Sequence, residues 1–97
     1  MSEKNLENRI KKWLKDNGIY HFKYWGGGIY TTSGIPDIIA CVRGHFVALE
    51  VKSSTGKTSK LQDYNLKKIN DSGGVALVVN PENWEEVKTY LGNLKGG

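Results

Sequence analysis

The feature that most restricts this chain is a pair of short apolar segments, 37–42 and 46–52, with only Arg43-Gly44-His45 between them. Segments this short, rich in Val and Ile and joined across a Gly-containing turn, form an antiparallel β-hairpin. Alternation then sorts the side chains. On 46–52, Val47, Leu49 and Val51 share the better core face, while Phe46, Ala48, Glu50 and Lys52 share the other. If the turn is Arg43-Gly44 alone, Asp37 lies directly opposite Glu50. With a Gly44-His45 turn or a four-residue Arg43–Phe46 loop, it faces Lys52 and sits diagonal to Glu50. Any even-numbered loop puts Asp37, Glu50 and Lys52 on one face.

The segments around the hairpin fill in an α/β order. Leu6, Ile10, Trp13 and Leu14 fall on one face of a helix over 3–17, stopped by Asn17-Gly18. Residues 19–25 read as a strand, and Gly26-Gly27-Gly28 opens a loop up to Ile35. Ser59 is a natural N-cap for a helix to about Asn70. The continuous apolar run Val75–Val79 predicts a strand buried on both faces. Residues 82–94 predict a last helix, with Trp84, Val87, Leu91 and Leu94 inside and Glu82, Glu85 and Glu86 in its first turns. The order is helix, three strands, helix, strand, helix, with a mixed sheet and a parallel crossover after residue 52. At 97 residues, 1–97 reads as a single domain.

Composition excludes several classes. No apolar run approaches the ~20 residues of a membrane-crossing helix. The start, Met1-Ser2-Glu3-Lys4, lacks the apolar stretch of a secretory signal. The single cysteine, Cys41, makes neither an internal disulfide nor a zinc site by itself. A cytoplasmic location is the expectation. The net charge of +4 is segregated: residues 1–25 carry +3 and 50–70 carry +3, whereas 71–97 carry −2. Segregation of this kind suits a polyanionic partner, and it also suits an ordinary solvated surface.

Glu50 and Lys52 emerge side by side from an otherwise apolar strand. Alone they would read as a surface ion pair. Asp37 changes that reading, because cross-strand Cβ atoms lie about 4.5–5.5 Å apart. Two carboxylates that close repel by about a few kcal/mol even at an effective dielectric of ~20. A divalent cation reverses the sign. A small set of oxygen ligands favours Mg²⁺ or Mn²⁺, and the carbonyl of Val51 is a further hard donor between the two side chains. A lysine beside such a site suits phosphoester hydrolysis, where its ammonium orients water or balances charge on the phosphate.

Two more polar residues sit at apolar stripes. Glu7 reads either as a site acid or as an exposed helix charge beside Lys11. Gln62 reads either as a site residue or as a helix-start glutamine bonded to backbone. Lys11, Lys12, Lys15, Lys23, Lys57, Lys60, Lys67 and Lys68 are candidates for phosphate contacts, which position a nucleic acid without reading its sequence. Tyr30 could stack on a base or fill the core.

The recurring pattern is Ile35-Pro36-Asp37 followed, after twelve residues, by Glu50-Val51-Lys52. It resembles the PD-(D/E)XK nuclease superfamily. Ser33-Gly34-Ile35-Pro36-Asp37-Ile38, Glu50-Val51-Lys52, Gly56, Ser59 and Gln62 together resemble its virus-type replication-repair nuclease (VRR-NUC) group, over residues 7 to about 79. The resemblance implies a restriction-endonuclease-like core and an endonuclease cutting branched DNA. It implies metal ligation by Asp37 and Glu50, catalysis by Lys52, an assisting acid at Glu7 and an active-site Gln62, with Ser33 near the DNA. Small standalone members are similar to Holliday-junction resolvases, which implies a homodimer. A junction-binding module without cleavage, and an RNA-cleaving enzyme, are the competing readings. Trp25, Tyr30 and Phe46 are candidate interface aromatics, each of which could instead be core.

Overall fold

The computed structural model describes residues 2–26 and 32–96. Its elements are α1 (Glu3–Asp16), β1 (Tyr20–Lys23), β2 (Ile38–Val42), β3 (His45–Val51), α2 (Lys60–Asp71), β4 (Val75–Val79) and α3 (Trp84–Gly96). The sheet order is β1-β2-β3-β4. The first two pairings are antiparallel and β3–β4 is parallel, so α2 is the crossover. This α/β arrangement, three helices on a mixed four-stranded sheet, is compatible with a restriction-endonuclease-like core.

The turn between β2 and β3 is Arg43-Gly44, with φ of 52° and 84°. Two successive positive φ values mark the two-residue turn whose twist matches the flanking strands. Val42 therefore pairs with His45 and Ile38 with Leu49. One step further, Asp37 stands opposite Glu50, which decides among the registers left open by the sequence. His45 belongs to the strand rather than to the turn.

Helices α1 and α3 cover one sheet face. Leu6, Ile10 and Leu14 of α1 and Trp84, Val87 and Leu91 of α3 enclose Ile38, Ala40, Val42, Val47, Leu49, Val51 and Val79. Trp13 meets Trp84 edge-on at 5.8 Å between ring centroids. The other face is covered only in part. There α2 sets Leu66 on Ala48 and Ala76, whose small side chains let the helix approach, with Ile39, Ile69 and Val78 packed around them.

Three points differ from the sequence reading, two of them boundaries. Ile19 is buried, and its N–H closes α1 on the Leu14 carbonyl at 2.9 Å instead of opening β1. β4 has helices over both faces, yet no strand follows it at the sheet edge, so Leu77 and Val78 are only half-buried. α3 starts at Trp84 because Asn80 and Asn83 bond one another's backbone N–H at 2.9 Å and hold a turn. Glu82 lies in that turn and accepts from Ser54 Oγ at 2.7 Å.

Candidate active site

Pro36 has no N–H and cannot extend the β2–β3 ladder as a donor. The Asp37 side chain closes this end of the pairing instead, as an acceptor. Its Oδ2 accepts from the Val51 N–H at 2.8 Å, while its carbonyl accepts from the Tyr24 N–H at 2.8 Å. The residue is thus held from both neighbouring strands. On β3, Glu50 is 2% exposed. Its Oε2 accepts from Gln62 Nε2 at 3.2 Å and lies 3.6 Å from Lys52 Nζ. Its Oε1 is buried with no hydrogen-bond partner. Burial, and then the adjacent Asp37 charge, push the Glu50 carboxyl up to about 7, against which Lys52 pulls only in part. The Lys52 backbone is fixed by its N–H to the Val79 carbonyl at 2.9 Å.

Gln62 reaches this group through a helix cap. Its Oε1 accepts from the Ser59 N–H at 2.8 Å, and its own N–H donates to Ser59 Oγ at 3.1 Å. This reciprocal capping box fixes the amide so that Nε2 faces Glu50. Gly34 brings the approach to Asp37 close beneath α2. Its φ is +80°, and a Cβ there would meet Leu61 Cγ at 2.6 Å.

Asp37, Glu50, Lys52 and Gln62 are therefore brought together, and the Val51 peptide lies between them. Glu7 is elsewhere. It is 6% exposed on α1, across the sheet, between Lys23 Nζ at 2.5 Å and Lys11 Nζ at 3.3 Å. Burial alone would raise its carboxyl, but the hydrogen bonds and charges of Lys23 and Lys11 outweigh this and hold it below the ordinary value. Among the described residues no three His, Cys, Asp or Glu side chains gather in one metal-holding group. The close acids are a pair. Glu7 is not a third member of that group.

The remaining site expectations divide. Lys15, Lys57, Lys60 and Lys68 are exposed, as is Ser33 in the loop leading to Asp37. Lys12 and Lys67 are exposed but paired along their helices with Asp16 and Asp71, both at 2.6 Å. Lys11 and Lys23 are engaged by Glu7, and Lys23 also lies 4.8 Å from the centroid of the exposed Trp25 ring. Tyr30 lies outside the described residues. The Glu7–Lys23 pair went unseen in the sequence, because nothing there fixes which strand residue α1 crosses.

The site fits a hard divalent cation: two adjacent carboxylates, one with a buried oxygen that has no donor. A family model, described as archaeal Holliday junction resolvase (Hjc), matches residues 2–88. That span holds Asp37, Glu50, Lys52 and Gln62. The chain belongs to the Hjc family. It is a structure-selective endonuclease acting on branched DNA, of the PD-(D/E)XK type, and resolvases of this kind depend in general on a divalent metal. The match is to Hjc, so the resemblance stands at the superfamily level and not at VRR-NUC specifically. No curated protein and no solved structure gives a significant match. No helix among the described residues is long and apolar enough to cross a membrane.

Proposed function

We propose that this Hjc-family resolvase hydrolyses the phosphodiester backbone at a Mg²⁺ or Mn²⁺ site held by Asp37 and Glu50, with the Val51 carbonyl as a further ligand. The observation that carries the reading is the buried, partnerless Oε1 of Glu50 beside Asp37. An ion there would polarise the scissile phosphate and acidify a water. Asp37 presents one carboxylate oxygen to the Val51 N–H and keeps the other for the ion. Lys52, held close to Glu50 by the strand, places its ammonium to orient the attacking water and to balance charge on the phosphate oxygens. Gln62 holds Glu50 in its rotamer. Glu7 acts as a positioning residue for Lys23 and Lys11. The exposed lysines 57, 60 and 68 supply backbone contacts that hold the junction arms.

A junction is resolved by two paired cuts, and the close carboxylates described here make one site per chain, so the working form is a homodimer. A labelled four-way junction tests the proposal. Cleavage should require Mg²⁺ or Mn²⁺ and stop with a chelator. Lys52→Ala should still bind the junction but no longer cut it. Cutting by that variant, or efficient cutting in the chelator, contradicts the assignment. RNA and unbranched duplex serve as parallel substrates, both expected to remain intact.

A further inference from the structure

Three rows of side chains cross the sheet face that carries the acid pair. Tyr24, Asp37 and Glu50 form the first row, Phe22, Ile39 and Ala48 the second, and Tyr20, Cys41 and Phe46 the third. α2 covers Ala48 and leaves much of the rest open. Tyr20 is 75% exposed, Phe46 51% and Phe22 47%. The rings of Tyr20 and Phe22 rest edge-on at 6.5 Å, so this is an ordered aromatic surface. Two depressions of about 450 and 350 Å³ meet at Ile39 and Phe46, extending the strip to Ile35 and Ile69 beside α2.

The three aromatics are large and half to three-quarters exposed. With their apolar neighbours they present on the order of 500 Å² of apolar surface. A standard interface removes ~800 Å² per partner, of which about 60% is apolar. The strip is the size of one such apolar centre. Among the described residues Lys68, on α2 at its edge, is the one charged residue lining the strip, too few cations to hold a phosphate backbone. The apolar end of the strip around Cys41 and Phe46 carries no charged lining residue, so it can meet its own copy without opposing like charges. The third row lies about 13 Å along the strand from Asp37, four residues away, so contact there leaves the acid pair open.

We infer that this strip is where a second copy of the chain docks, on a two-fold axis near Cys41 and Phe46. The inference rests on the homodimer reading above and adds the surface. Cys41, exposed in the single chain, becomes a native reporter. Sedimentation at micromolar concentration should give a dimer for the wild type and a monomer for Phe46→Glu and for Phe22→Glu. Maleimide should alkylate Cys41 at least about tenfold more slowly in the wild-type dimer than in those variants or on dilution to monomer. Should the variants fail to fold, the concentration dependence of Cys41 alkylation in the wild type decides alone. On a cruciform plasmid, the variants should give nicked circles where the wild type gives paired cuts. A monomeric wild type overturns the inference, as does a dimer whose Cys41 stays freely reactive. Protection of Cys41 that appears only on adding junction DNA overturns it in favour of a nucleic-acid surface. A wild type that fails to cut removes the nuclease reading and leaves the sedimentation and thiol results standing.

Discussion

Glu7 and Glu50 are the two buried acids among the described residues, and they are compensated in opposite ways. Glu7 has two lysines within 3.3 Å and its carboxyl is held below the ordinary value. Glu50 has one lysine at 3.6 Å and a second carboxylate beside it, and it is pushed up to about 7. Each acid has one buried oxygen without a hydrogen bond, but that of Glu7 lies 3.3 Å from Lys11 Nζ, whereas that of Glu50 has no lysine against it. A buried charge persists in a stable fold only when it is paired. Glu7 meets that condition with the chain's own residues, and Glu50 does not. On the proposed function, the shortfall of positive charge at Glu50 marks the place for an added cation, and the contrast separates an acid that the chain pairs by itself from one that calls for an ion.

The largest expected effect breaks the comparison at the catalytic end. Glu50→Gln and Lys52→Ala should each lower the single-turnover cleavage rate by about 10³-fold or more, or ~4 kcal/mol of barrier. Metal-free folding stability should change little or rise in Glu50→Gln, because an uncompensated charge has gone. Quench-flow cleavage together with urea unfolding in a chelator checks both halves. A Glu50→Gln variant that loses stability as well as activity would place Glu50 with Glu7 as a structural acid.

The next effect is a pH dependence of opposite sign at the two glutamates. A raised folded-state pKa means that the native protein binds a proton more tightly than the unfolded chain. Glu50 should therefore make the metal-free protein less stable as pH rises from 4.5 to about 7, by at most about 3 kcal/mol. Glu7, with its lowered value, contributes stability above pH 4.5 that is lost as pH falls below it. Urea titrations across this range should show the upper slope flattened in Glu50→Gln. Excess Mg²⁺ should offset the same slope in the wild type.

How much of this contrast was legible in the sequence depends on the distance a signal had to travel. Asp37, Glu50 and Lys52 were readable because β-sheet parity is local and Arg43-Gly44 lies only a few residues from each. Gln62 was readable as a polar residue on an apolar helix face, although its capping bond to Ser59 and its bond to Glu50 turned out to coexist. For Glu7 the sequence offered a site acid or an exposed helix charge beside Lys11; the Lys11 pairing is there, but its burial and its second partner Lys23 depend on how α1 lies across β1. The aromatic strip was legible only at Phe46, a candidate interface aromatic from the sequence. Tyr20 and Phe22 resemble core residues, and only the partial cover given by α2 leaves all three exposed.

A smaller effect sharpens the structural end. Glu7→Gln removes the counter-charge of Lys23 and Lys11, whose side chains are 21% and 32% exposed and retain some access to water. The loss should be about 2 kcal/mol of folding stability, below the cost of stranding a fully buried charge. Cleavage per folded molecule should fall much less than in Glu50→Gln. Substituting Lys23→Met in the same chain should recover part of the stability, and a double-mutant cycle in urea measures that recovery.

The smallest effect joins the two ends of the comparison at one side chain. Gln62 both completes the α2 cap and donates to Glu50, so Gln62→Ala has two consequences that can be pulled apart. Losing its half of the capping box should cost about 1 kcal/mol, the same order as Ser59→Ala. Losing the Nε2 donor removes a hydrogen bond that favours the charged carboxylate, so Glu50 should hold its proton to a still higher pH. Metal binding competes with that proton, and the pH midpoint of Mg²⁺ binding should move upward in Gln62→Ala. Ser59→Ala should share the stability loss while its midpoint stays near the wild type, because the amide can still reach Glu50 from an intact helix. Calorimetric Mg²⁺ titrations of both variants at several pH values distinguish the roles. Equal midpoints in the two variants would reduce Gln62 to a cap, leaving Lys52 as the one side chain that supports the charged form of Glu50.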